Sequence, residues 1–260
     1  MSERVKIILD KNADILRLPA IALRGLVVFP GNIIHFEVGR KKSIAAIEWA
    51  MSNNNAVFLT AQQDMDVEDP GFKDLYAYGV VAEVKQVLRV SDELVKVLVE
   101  GKYRAKLLTL DSSGRFLLAS TKAAALRGTK SVDSARVEAL VRSVKEAFEE
   151  YLSLNPRLSK DVVYTIITNE DAALLCDYIP ANLLLKYTDK QALLNEGTVS
   201  GRLEKLLEIL RRETKILHIE KDIQSKVNEQ MDKNQRDYYL REQMRAISNE
   251  LDDFDDTREE

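Results

Sequence analysis

Apolar positions along the chain repeat with one period before residue 130 and with another after it. Up to residue 121 the spacing is that of strands. In IIHFEV (33–38), Ile34, Phe36 and Val38 alternate with Ile33, His35 and Glu37. In YGVVAEVKQVLRV (78–90), Val80, Ala82, Val84, Leu88 and Val90 share one face, and Glu83, Lys85 and Arg89 the other. Residues 91–93 read as a hairpin turn, after which Val95, Val97 and Val99 return on one face. YRAKLLTL and RFLLAST, around the turn DSSG, predict two more strands. One helix interrupts the set, with Ile44, Ile47 and Met51 at helical spacing. Many short strands and one small helix predict a twisted sheet closing into a barrel-like β domain over residues 1–125.

Beyond residue 130 the period lengthens to that of a helix. Val137, Leu140, Val141, Val144, Phe148, Tyr151 and Leu152 fall on one face, with Asp133 or Ser134 as cap and Asn155-Pro156 as stop. SKDVVYTIIT and NEDAALLCDYI predict shorter helices, the second ended by Pro180. TDKQALLNEG carries a capping-box pattern, Thr188 to Gln191, with Gly197 as its end. Residues 131–220 are therefore expected to form a helical bundle with its own core.

Residues 202–260 contain neither Gly nor Pro. A single helix over 202–256 would run roughly 80 Å at ~1.5 Å per residue. Its first part is bundle-like, with Leu203, Leu206, Leu207, Leu210 and Leu217. The middle, KVNEQMDKNQRD, offers only Val227 and Met231. Leu240, Met244, Ile247, Leu251 and Phe254 then recur at 4-3-4-3 spacing, a short coiled-coil seam. Residues 221–260 are thus expected to be a protruding arm that crosses solvent and meets a partner. The acids of DDFDDTREE sit at its C-terminal end, where the helix dipole disfavours them, so this end should fray. The fold class is α+β: a mostly-β barrel-like domain, a bundle and a long helix.

Composition adds bounds. Apolar residues are 45% and charged residues 31% of 260, with net charge −4. That balance supplies no sequence-wide attraction to nucleic acid or anionic membrane. No apolar run reaches the ~18 residues of a membrane span, and the first residues are not a signal peptide. A single cysteine, Cys176, excludes an intrachain disulfide framework and fits a reducing compartment, so a cytoplasmic location is expected.

Candidate chemistry is sparse. GRKKS (39–43) and GTKS (128–131) lack the spacing of a phosphate loop. His35 and His218 stand far apart, and one cysteine cannot complete a nitrogen–sulfur metal site. Cys176 lies among leucines and reads as a core residue. Ser159-Lys160 reads as a helix start rather than a nucleophile and base. No catalytic residue, cofactor site or metal site is assigned. Arg40-Lys41-Lys42 is the densest basic run, and it opposes the dipole of the helix it opens.

Longer stretches are more specific. In LPAIALRGLVVFPGNIIHFEVGRKKSIAAIEWAM (18–51), Leu18, Pro19, Leu23, Arg24, Val27, Val28, Phe29, Pro30, Gly31, Val38, Gly39, Arg40 and Ser43 fall on a pattern that resembles the opening of the Lon family of ATP-dependent proteases. Gly79, Ala82, Val97, Leu98, Val99, Gly101, Arg104 and Ala105 are similar to that family's middle strands. RLEKLLEILRRETKIL and QRDYYLREQMRAISNEL resemble its bundle exit and long helix. His35 stands where a proline is common, and ISNELDDFDD departs from the usual sequence there.

The resemblance implies a PUA-like β domain, a bundle and a long helix. These would form the substrate-recognition and hexamer-assembly region of a protease whose ATPase module, using ATP and magnesium, and serine–lysine protease domain lie elsewhere. The stop shortly after the long-helix signature favours an excised N-terminal region over a natural short relative. The expected partners are unfolded or damaged proteins, the family's own ATPase–protease module and further copies in a hexamer, with no nucleic acid or membrane. Phe29, Pro30, Tyr238, Tyr239 and Met244 are the candidate substrate contacts, and Leu240, Met244, Ile247 and Leu251 the candidate assembly seam. The alternative is a free-standing β-barrel module for a small ligand or RNA, disfavoured by the balanced charge and the lack of a basic–aromatic stripe.

Overall fold

The computed structural model describes residues 15–91, 93–128, 134–155 and 158–256, with side chains for all of these except 134 and 248–256. The cap at Asp133, the stop at Pro156, the end of GTKS and the last four residues lie outside the described residues. So do the side chains of Leu251 and Phe254.

Six strands come first: β1 (Ile15–Leu23), β2 (Ile33–Val38), β3 (Ala56–Ala61), β4 (Tyr78–Arg89), β5 (Val95–Asp111) and β6 (Leu117–Ala123), with helix α1 (Lys41–Met51) between β2 and β3. β1 pairs parallel to β3 and antiparallel to β6; β3–β4, β4–β5 and β5–β6 are antiparallel. These pairings close a five-stranded ring, β1-β3-β4-β5-β6, and β2 adds outside it on the first half of β5. One apolar cluster, including Leu18, Ala20, Phe58, Val81, Ala105 and Leu117, draws on every ring strand and fills the barrel. Neighbouring positions such as Ile21, Leu59, Val80 and Ala82 belong to a second cluster outside the ring. Strands buried on both faces lose their alternation, which is why VVA (80–82) reads as a continuous apolar run.

Two strand expectations need correction. Val80, Ala82 and Val84 are buried, but Leu88 and Val90 are 58% and 57% exposed, and Val87 packs inward instead. A register shift between Val84 and Gln86 inserts one residue, and an odd insertion turns every later side chain to the opposite face. The segments LVKVLVEG and YRAKLLTL are not separate strands. They form the single strand β5, which runs through Gly101. α1 is also packed differently from its expected face. Ser43, Ala46, Ile47 and Ala50 are buried, whereas Met51 is 44% exposed, because small residues let the helix approach the sheet closely.

The bundle comprises α2 (Ser134–Leu154), α3 (Lys160–Thr168), α4 (Ala172–Asn182), α5 (Tyr187–Asn195) and the first turns of α6 (Val199–Asp256). Val141, Val144, Phe148 and Tyr151 of α2 are buried with Leu203, Leu206 and Leu210 of α6, as the helical spacing requires. Ser159 Oγ accepts from Val162 N–H, and Asp171 accepts from Ala173 and Leu174 N–H, capping α3 and α4. α4 runs through Pro180 instead of stopping there. The expected capping box on α5 does not form: Lys186 is the cap residue, and Gln191 is buried, donating to Tyr78 O at 2.8 Å. A long-range demand from the barrel takes the side chain that local sequence assigned to the helix end.

Candidate functional site

Among the described residues no group of three or more metal-ligating side chains occurs. What the fold presents is two surfaces: a cleft where barrel meets bundle, and the outer length of α6.

The cleft is set by the turn after Val28. Phe29 is fully buried. Its carbonyl lies where a Cβ on Gly101 would stand 2.2 Å away, so only glycine admits this approach. Gly31 N–H donates to Gly101 O at 2.8 Å, and Gly101 N–H returns to Asn32 O at 2.9 Å. Gly31 has φ +74°, the left-handed conformation that favours glycine. Phe29-Pro30-Gly31 is thus a locked turn that drives the Phe29 ring inward and leaves Pro30 half-buried at the rim. A cavity of about 230 Å³ beside it is lined by Pro30, Lys102, Tyr103, Leu126, Asp177 and Arg202, among others.

Two arginines hold the cleft's floor. Arg104 stacks 4.1 Å above the Tyr78 ring and donates to Asn195 O at 2.8 Å, tying barrel to bundle. Arg202, 1% exposed in its side chain, pairs with Asp177 and donates to Glu196 O at 3.0 Å. Burial lowers the pKa of Arg104, and the neighbouring Arg202 lowers it further. Burial raises the Asp177 carboxyl above its ordinary value in spite of the Arg202 guanidinium. Backbone bonds from Arg127 N–H to Gly197 O and from Val199 N–H to Arg127 O complete the junction.

The second surface is α6 beyond Leu217, where every residue from His218 to Ile247 is exposed. Tyr238 (67%), Tyr239 (61%) and Met244 (72%) are open to solvent, as are Leu240 and Ile247 of the expected seam. The spacing also extends back further than the sequence reading placed it. Ile216 and Ile223 share a heptad position with Met244, and Ile219 shares one with Leu240 and Ile247; all three isoleucines are exposed. Lys226, Gln230, Lys233 and Asp237 occupy the same positions between them. Counting heptads backwards from Met244 would have found this proximal half.

Residues 17–212 match the sequence profile of the ATP-dependent protease La (LON) substrate-binding domain. The chain belongs to the Lon substrate-binding domain family. It is 38% identical over 250 residues to the Lon protease of Escherichia coli K12, covering 96% of this chain and 32% of that protein. It is 38% identical over 260 residues to Lon protease of Heliobacterium modesticaldum, and 40% over 239 to that of Brevibacillus choshinensis, covering 31% and 30% of those proteins. The chain therefore spans about a third of the length of these relatives. The N-terminal domain of a Mycobacterium avium complex Lon protease superposes with a TM-score of 0.61 at 20% identity, over 75% of this chain and 98% of that one. A Lon N-terminal domain protein from Xanthomonas campestris gives 0.52 at 15%, over 74% and 97%. At these identities the two structures establish the shared fold.

Within this Lon domain the candidate contacts separate. Pro30 lies on the barrel side of the cleft, the two tyrosines and Met244 lie on the arm, and Phe29 belongs to the core rather than to a surface. The sequence reading missed Tyr103 in the cleft, whose strand position carries no period signal, and the exposed Leu184 (78%) and Tyr164 (69%) on the bundle.

Proposed function

We propose that this chain is the substrate-engaging and assembly region of an ATP-dependent Lon-type serine protease, itself non-catalytic, acting in the cytoplasm as part of a hexamer. In this reading residues 1–125 and 131–220 are the barrel and bundle parts, and residues 221–260 are the arm. The observation that carries the reading is the row of exposed apolar side chains along α6 with no cover among the described residues. Unrelated unfolded chains share apolar side chains and little else, so a surface that holds many of them needs adaptable apolar area: Met and Tyr, not a shaped pocket. Tyr238, Tyr239 and Met244, together with the Pro30 cleft, supply it. The in-phase positions Ile216, Ile219, Ile223, Leu240, Met244 and Ile247 supply an assembly seam, and the polar heptads between them limit how tightly it closes. ATP and magnesium belong to the ATPase module of such a protease, and this chain has no phosphate loop to hold them. Among the described residues, no helix is long and apolar enough to cross a membrane.

A titration of one labelled protein, reduced and unfolded or native, against the chain tests the reading. The unfolded form is expected to bind more tightly, in the micromolar range or weaker, at ~8 kcal/mol or less. Binding is expected to change little with salt, because charges of both signs are interspersed along the arm and the net charge is only −4. Equal affinity for the two forms would remove substrate selection and leave assembly alone.

A further inference from the structure

A second cavity, of about 350 Å³, lies at the N-terminal end of α1. Its size falls in the range of small-ligand sites. Leu23, Leu26, Phe36 and Val38 give it apolar walls, and Arg24, Arg40, Ser43 and Glu37 give it polar groups.

Four features of this cavity point to an anion. Arg24 and Arg40 converge, each donating to Val67 O at 3.2 Å. Among the described residues neither forms an ion pair. The other acceptors of Arg40 are the neutral Ala22 O and Gln62 Oε1, while Asp69, the nearby acid, pairs with Lys42 at 2.9 Å. Glu68 and Asp69 act on Arg40 only from beyond ion-pair distance. Two guanidiniums therefore share one carbonyl with no carboxylate between them. The start of α1 is uncapped as well. Arg40, in the cap position, makes no side-chain cap bond, and the first bond of the helix is Ile44 N–H to Arg40 O. The N–H groups of Lys41, Lys42 and Ser43 thus have no acceptor within the helix. Finally, Ser43 is only 4% exposed and lines the cavity, yet its Oγ has no hydrogen-bond partner among the described residues. The hydroxyl opens onto the cavity and is free to bond a ligand there.

We propose that this cavity binds the C-terminal carboxylate of a polypeptide ending in an apolar residue. Arg24, Arg40, Ser43 Oγ and the first-turn amides of α1 hold the carboxylate, and Leu23, Leu26 and Phe36 receive the last side chain. Capture of a chain terminus by backbone amides and an arginine is a recurring mode of peptide recognition. The walls decide between carboxylate and phosphate. Apolar surface gives nothing to a fully hydrated inorganic ion but receives the side chain that accompanies a peptide carboxylate, and Arg24 and Arg40 outnumber Glu37 on the lining. The choice of a polypeptide as the source of the carboxylate rests on the substrate-engaging reading above; the anion preference does not.

The test uses the whole 260-residue chain, isotope-labelled, titrated by NMR with acetyl-Ala-Ala-Leu bearing a free carboxylate, with the same peptide amidated, and with inorganic phosphate. The free acid is expected to shift the amides of Gly39–Ser43, with the amidated form weaker by about tenfold or more, as a charge-assisted contact would be. Arg24→Gln, at an exposed side chain, should abolish the response, and Ser43→Ala should weaken it several-fold. Ser43→Ala serves as the second probe if Arg24→Gln perturbs the fold. Equal binding of acid and amide, phosphate binding more tightly than peptide, or no shift at Gly39–Ser43 would each overturn the proposal. Tyr238→Ser separates the two readings. It should leave the tripeptide response unchanged while weakening the capture of unfolded protein, so either site can fail alone.

Discussion

The two halves of α6 are one continuous helix with opposite fates. From Leu203 to Leu210 its apolar face is covered by α2, α4 and α5, and Leu203, Leu206 and Leu210 are all fully buried. From His218 onward nothing in the described chain covers it, although isoleucines continue at heptad spacing. Apolar spacing shows that a helix has a face; it does not say whether the same chain supplies the cover. The halves do differ in how polar residues punctuate the stripe. The bundle half has Leu203, Leu206 and Leu210 without a break. The arm half has Lys226, Gln230, Lys233 and Asp237 where a continuous seam would need apolar residues.

The sharpest way to break the comparison is to place the same charge in each half. Leu206→Asp buries an unpaired carboxylate in a packed core and is expected to unfold the bundle, at a cost above about 4 kcal/mol. Ile223→Asp, at a side chain 56% exposed, should stay within about 0.5 kcal/mol of the parent in a denaturant titration of the monomer. Comparable losses from the two would mean that the arm is packed in solution.

A second contrast sets Phe29 against Tyr238. The sequence reading named both as candidate substrate contacts, and the structure separates them. Phe29→Ser removes a fully buried ring from the turn that Gly101 accommodates and should cost about 3–5 kcal/mol. Tyr238→Ser should leave the unfolding midpoint unchanged. A loss of unfolded-protein binding in Phe29→Ser would therefore report damage to the barrel, and only Tyr238→Ser reads contact.

Much of this was legible in advance, for identifiable reasons. The faces of α2 and of the first turns of α6 follow from helical spacing because each buries one continuous side and leaves the other exposed. Val95, Val97 and Val99 followed from alternation for the same reason. Leu88 was misplaced because a bulge leaves no mark in a period count. Gln191 was misassigned because the carbonyl it serves, Tyr78 O, lies 113 residues away. Pro30 and Phe29 are neighbours in sequence with opposite exposures, and only the approach to Gly101 decides which points inward. Of the cluster of Arg24, Arg40 and Ser43, only Arg40 lay in the basic run Arg40-Lys41-Lys42 seen in the sequence, since Arg24 follows β1 and meets Arg40 only in space, at Val67 O.

Cys176 gives a chemical readout confined to the bundle half. It is 1% exposed, and burial pushes its thiol up to about 12, with the buried Arg202 opposing the shift. The folded thiol thus keeps its proton over a range where the unfolded one, with an ordinary value of 9.0, loses it. A raised folded value means that stability is unaffected below about pH 9 and declines as pH rises from there towards about 12. At pH 8 alkylation should be blocked in the native chain and complete once denaturant opens the bundle. Rapid labelling under native conditions would show that the bundle half opens as readily as the arm.

The smallest effect, and the one that sharpens the comparison most, is on amide exchange. An isolated helix without tertiary contacts is marginal, so in dilute monomer the amides of His218–Ile247 should exchange orders of magnitude faster than those of Leu203–Leu210. If copies associate through the heptad positions, protection should rise with concentration at both ends of the seam, near Ile219–Ile223 and near Leu240–Ile247. It should rise less at Gln230–Asp237, where the seam positions are polar. Leu240→Asp should remove the distal protection and leave the unfolding midpoint of the bundle where it was, because the side chain is 47% exposed and makes no core contact. Protection across 240–247 that is strong and independent of concentration would instead mean that this chain covers its own arm, and the two halves of α6 would then differ in degree only.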